Sequence, residues 1–145
     1  MIIRILIIAW CLGAWAFRAE AQVAVIAHAE VPADSVTKDQ LLDFFTGDIR
    51  AWIDGAAVVV VDLKPRSDVK ETFYDFLGKK PSRMKSIWLR KMLSGEFEPP
   101  EALETEAEML EKISTTPGAI GFVHKTTITA EAAVKILVEI PMGEL

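Results

Sequence analysis

Apolar positions in this chain fall into short runs divided by turn residues, and their spacing switches between strand-like and helix-like. Val23 to Ala27 is an unbroken apolar run and predicts a first strand. Thr37-x-x-Gln40 is a capping box, and Leu41, Leu42, Phe44 and Phe45 behind it predict a short helix that Gly47 ends. Ala56 to Leu63 is nearly continuous valine, the pattern of a strand buried on both faces in a parallel sheet. Asp68 to Leu77 carries Val69, Thr72, Phe73, Phe76 and Leu77 at helical spacing, with Gly78 as the stop. Ser82 to Leu93 predicts the next helix, with Met84, Ile87, Trp88, Lys91 and Met92 on one side. Pro99-Pro100 excludes helix from the loop Gly95 to Pro100. Thr105-x-x-Glu108 reads as a second capping box, opening a helix through Met109, Leu110 and Ile113. Ala119 to Val123, after the Pro117-Gly118 turn, and Val134 to Ile140 are the last two strands. Strands alternate with helices without a repeat or a linker. The fold class is therefore α/β, one mostly parallel or mixed sheet flanked by helices.

The first residues break this rhythm. Arg4 precedes an apolar run of 13 residues, Ile5 to Phe17, short of the roughly 20 that a spanning helix needs. Ala19-Glu20-Ala21 follows as a small-x-small cleavage pattern. Residues 1–21 are expected to be a secretory signal, cut after Ala21, and residues 22–145 the exported domain, periplasmic or secreted. An uncleaved N-terminal anchor is the competing reading. A lipoprotein signal needs a small residue before Cys11, where Trp10 stands.

Cys11 is the only cysteine of the 145 residues and leaves with the signal. The exported domain is then expected to have no disulfide, no thiolate nucleophile and no cysteine-bound metal. Losing Arg4, Arg18 and Glu20 leaves 14 basic and 20 acidic residues, a net charge near −6. That balance argues against nucleic acid or an anionic membrane as partner, and no stable membrane insertion is expected after cleavage. It leaves room for a local anion site, because a bound anion is held by a few aimed donors.

The candidate chemistry lies where the valine strand hands over to a helix, at Lys64-Pro65-Arg66-Ser67-Asp68. Ligands of open α/β sheets gather beyond the carboxyl ends of strands, where helix N-termini present N–H groups. Ser67 caps that helix, or Asp68 does with Asp68-x-x-Glu71 as a capping-box variant. Arg66 adds a forked donor suited to phosphate, sulfate or carboxylate. The bland alternative is a capped helix beside a solvated arginine. His28 and His124 each follow an apolar strand, and neither has a second ligand at metal spacing, so no metal is expected. His124 beside Lys125 adds charge at a strand end. Asp34, Asp39, Asp43 and Asp48 read as a solvated face. Trp52 and Trp88 read as core. No nucleophile elbow, phosphate loop or zinc-helix motif occurs, so no enzyme activity, catalytic residue or cofactor is expected.

Several blocks in order carry a family resemblance. Phe45-x-Gly47 followed by Trp52-x-Asp54-Gly55 resembles a segment of the phosphate-binding proteins of phosphate ABC transporters. In that family there follow a valine-rich strand, an Arg-x-Asp-Gly-Ser-Gly-Thr turn and a helix carrying a Phe. Ser86-Ile87-Trp88, Leu93-Ser94-Gly95, Glu108-Met109-Leu110 and Thr116 to Phe122 resemble its later blocks, over about Val23 to Ile140. The resemblance implies one lobe of a type II periplasmic binding protein, three layers deep, similar to the second lobe of a two-lobed receptor. It also implies an anion site at Arg66, Ser67, Asp68, Lys70 and Thr72. Arg66, Asp68 and Thr72 match the family turn, but Val69-Lys70-Glu71 replace its Gly-Ser-Gly. Those glycines let backbone N–H groups wrap close to the anion. Glu71 brings negative charge there, and Lys70 compensates in part as a point charge. The expected function is weak or dimer-dependent phosphate or oxyanion binding by an exported solute-binding-like domain. Its partners are then the anion and a second copy. The alternative is a non-transport module that docks another envelope protein and reuses a half-receptor fold.

Overall fold

A computed structural model describes residues 21–143. The signal-sequence reading concerns residues 1–21, of which residues 1–20 lie outside the described residues. The described elements follow in chain order: β1 (Gln22–His28), α1 (Lys38–Thr46), β2 (Val59–Leu63), α2 (Asp68–Leu77), α3 (Pro81–Leu93), β3 (Glu101–Leu103), α4 (Glu106–Thr115), β4 (Ala119–His124), a 3-10 turn (Lys125–Thr127) and β5 (Val134–Pro141). The five strands form one sheet in the order β3-β2-β4-β1-β5. β2 runs parallel to both β3 and β4, whereas β1 is antiparallel to β4 and β5. The sheet is mixed, as the pattern predicts.

Alternation along β4 separates the layers. Gly121 faces α4, where a Cβ would strike the Met109 sulfur, so the missing side chain lets the helix lie close. Its neighbour Phe122 points to the opposite face. There it stacks on Phe73 of α2 at 4.0 Å between ring centroids and meets Phe45 of α1 at 6.4 Å. Helix α3 joins that second layer, with Trp88 donating its indole N–H to the Phe45 carbonyl at 2.7 Å. Helix α4 covers one face and α1 to α3 the other, over a single hydrophobic core.

The two blocks that bracket the valine strand meet in space. Trp52 is buried and donates its indole N–H to the Gly118 carbonyl at 3.0 Å, which also accepts the Val59 amide at 3.0 Å. Gly118 has φ +80°, and a Cβ there would collide with the Ala57 carbonyl. Glycine is the residue type that permits both that backbone conformation and that approach.

Three expectations need correction, and one strand was not foreseen. The strand predicted from Ala56 begins only at Val59, and Ala57 makes an isolated bridge with Ala51. The edge strand β3 lies just past Pro100, at three residues too short to show a period. Thr105 caps α4, but the Glu108 carboxylate accepts the Glu104 amide and not that of Thr105, so the box is not reciprocal. Helix α2 buries Lys70 and Tyr74 with Val69, Phe73 and Leu77, and leaves Thr72 and Phe76 half-exposed. Its inner face is rotated from the predicted one because a carboxylate waits beneath it.

Candidate functional site

Because β2 and β4 are adjacent and parallel, their carboxyl ends share one edge of the sheet. The N-termini of α2 and α4 open at that edge, the side on which ligands of such sheets gather. The backbone after β2 turns through Lys64, Pro65 and Arg66 into α2. Ser67 is the N-cap: its hydroxyl accepts the Lys70 amide at 3.2 Å. Asp68 is the first helical residue and not the cap, and its Oδ1 accepts the Val69 amide at 2.8 Å.

The five predicted anion ligands divide. Arg66 is exposed and has no ion-pair partner among the described residues. It lines an open groove of about 610 Å³ with Lys64, Lys80 and Lys85 on one side of the charge balance and Glu71 and Asp75 on the other. Thr72 is half-buried one turn into α2. Ser67 is engaged as a cap. Asp68 points across the edge to β4, with Oδ1 3.5 Å from His124 Nε2.

Lys70 has a different task from the one expected. It is 5% exposed and its ammonium lies 3.4 Å from Asp62 Oδ2 while donating to the Leu63 carbonyl. Tyr74, one turn further along α2, donates its hydroxyl to Asp62 Oδ1 at 2.8 Å. Burial pushes the Asp62 carboxyl above its usual range, against the Lys70 charge and the hydrogen bonds from Tyr74, Leu63 and Lys70. Burial, with the Asp62 charge and hydrogen bond, pushes the Tyr74 hydroxyl well up. The Lys70 charge is spent inside the protein, on the floor beneath the groove.

A second cluster sits at the end of β4. Glu106, the first residue of α4, turns its carboxylate onto the strand end. Oε1 accepts the His124 backbone N–H and the Thr127 hydroxyl, the latter at 3.3 Å, and Oε2 lies 2.9 Å from His124 Nδ1. His124 therefore stands between two carboxylates, Glu106 at one ring nitrogen and Asp68 at the other. Partial burial by itself lowers its pKa, but the hydrogen bond and charge of Glu106, then those of Asp68, outweigh this and hold the imidazole above its ordinary value. The ring nitrogens point away from each other, so the three groups bridge and do not converge. Among the described residues no group of three or more His, Cys, Asp or Glu could hold a metal ion.

Sequence reasoning placed Arg66 in this turn and offered Ser67 or Asp68 as the cap, of which the structure has Ser67. It missed Asp62, Tyr74, Glu106 and Thr127, and it read His124 only as strand-end charge. The one available signal was Thr105, which places Glu106 in a first helical turn.

No family model and no curated protein matches the sequence. Solved structures match the fold. A protein from Clostridium perfringens, described as a phosphate ABC transporter substrate-binding protein with bound phosphate, is 19% identical, with TM-score 0.66 over 81% of this chain and 44% of that one. An ABC-type phosphate transport receptor from Vibrio cholerae is 16% identical, with TM-score 0.64 over 81% of this chain and 45% of that one. PstS from Borrelia burgdorferi is 18% identical, with TM-score 0.61 over 81% and 46%. This chain thus spans less than half the length of each, and its mixed α/β sheet has the fold of part of a phosphate ABC transporter substrate-binding protein.

Proposed function

We propose that this chain is an exported solute-binding-type lobe that takes phosphate or a related oxyanion weakly at the turn between β2 and α2. Tight binding then needs a second body over that turn, most simply another copy of the chain. The observation that carries this reading is Arg66, a cation with no described ion-pair partner, at the carboxyl edge of a parallel strand pair and beside a helix N-terminus. The fold likeness supports it, since the neighbours are described as phosphate transport or binding proteins and not as enzymes. Periplasmic or secreted localisation belongs to the same proposal.

The donor set sets the expected strength. Arg66 and Thr72 remain for the anion, while Ser67 caps, Lys70 is neutralised by Asp62, and Asp68 adds repulsion at the entry. Each charge-assisted hydrogen bond contributes about 1.5–3 kcal/mol, so a site short of several such bonds falls to the millimolar range. Thermal unfolding and calorimetry with phosphate and sulfate test this, with the mass in solution measured alongside. At about 10 mM anion the midpoint should rise in the wild type, following RT ln(1 + [L]/Kd), and should not move in Arg66→Ala. A wild-type midpoint indifferent to both anions sinks the reading.

A further inference from the structure

We infer that the end of β4 is an oxyanion seat that the chain fills with its own Glu106 carboxylate. Three donors of different kinds meet the two oxygens there: the last amide of the strand, the His124 ring and the Thr127 hydroxyl. All three belong to β4 and the turn after it, and none to α4. Removing the Glu106 side chain therefore leaves the donors where they are, facing a space with the shape of a carboxylate. His124 is set for the task from behind, because Asp68 at its other nitrogen favours the doubly protonated ring. The ligand class is a small carboxylate or a tetrahedral oxyanion presenting one edge.

Glu106 is tethered, so its effective concentration at these donors is at least millimolar and an external anion competes poorly. The seat is a different donor set from the Arg66 turn and stands or falls separately. A plain brace between α4 and β4 would use the same contacts, but it would not accept a free substitute for the carboxylate.

That difference is the test. In Glu106→Ala the thermal midpoint should fall, and formate at about 100 mM should recover it beyond an equal concentration of chloride, as expected for a Kd of about 1–10 mM. Acetate and phosphate titrations of the same variant define which anion shapes the seat accepts. Wild type should not respond to formate in this way. Thr127→Val in the Glu106→Ala background should weaken formate about 2–10-fold, whereas Arg66→Ala in that background should leave formate binding intact. Loss of formate binding with Arg66→Ala would place the anion at the other turn and overturn the proposal. So would a folded Glu106→Ala that treats formate and chloride alike. If Glu106→Ala is unfolded in chloride, formate must restore its far-ultraviolet circular dichroism, and a chain that stays unfolded in formate also overturns it.

Discussion

The ends of β2 and β4 lie side by side at one edge of the sheet and have been finished in opposite ways. At the end of β4 every donor named here, the His124 amide, its ring and Thr127, is taken by Glu106. At the end of β2 the chain answers one cation, Lys70, with the buried carboxylate of Asp62 and leaves Arg66 in the groove. Position at a carboxyl strand edge therefore does not by itself make a binding site. What decides is whether the chain brings its own counter-charge to that position, and from which neighbouring element.

The comparison can be broken most forcefully at Asp62. Asp62→Asn strands a buried ammonium, and loss of one partner of such a pair costs about 3–5 kcal/mol. Urea unfolding should show a loss in that range, and Lys70→Met in the same chain should restore much of it. The surviving Lys70 charge should also strengthen the phosphate response at the end of β2. A loss under about 1 kcal/mol would mean that the pair is not the anchor of α2.

A smaller effect sharpens the account of Ser67. As the cap of α2 its hydroxyl is worth about 1 kcal/mol, so Ser67→Ala should lower the unfolding free energy by that amount and leave the phosphate response nearly unchanged. If instead stability is kept and the phosphate response disappears, the hydroxyl serves the anion and the two strand ends are more alike than the geometry indicates.

The smallest effect concerns His124. Its folded pKa is raised by Glu106 on α4 and Asp68 on α2, despite partial burial, while neighbouring Lys125 is paired with Glu139 at 2.8 Å. A raised pKa means that the charged ring stabilises the fold fully below its unfolded pKa, about 6.5. That contribution fades as pH rises through the folded pKa. Unfolding free energy measured from pH 6 to 9 should decline, and Glu106→Gln, which removes the strongest raising influence, should flatten the decline. An equal slope in both proteins would show that Glu106 does not hold the proton on the ring.

Much of the fold was legible because it rests on local rules. Thr37 with Gln40, the stop at Gly47, the Ser67 cap and the stop at Gly78 depend on residues within a turn of one another, and the structure has each of them. At the candidate site the sequence made the Ser67 cap legible and placed Arg66 in the turn before it. Lys70 and Asp62 stand on different elements and look in sequence like two solvated charges. Glu106 and His124 are 18 positions apart and meet only because β4 runs back to the edge at which α4 begins. Nothing in either local pattern encodes that distance.

By itself the sequence determined the order of the helices and of the longer strands and the α/β class, but not the edge strand β3, since runs of valine, helical spacing, caps and glycine stops act over a few residues. Only the tertiary structure decided which charges are free to meet a ligand. Whether a side chain is neutralised depends on what the sheet order and the helix layers bring within a few ångströms of it. By that measure Lys70 and His124 are already answered from within, and Arg66 is the cation of the turn left facing the groove.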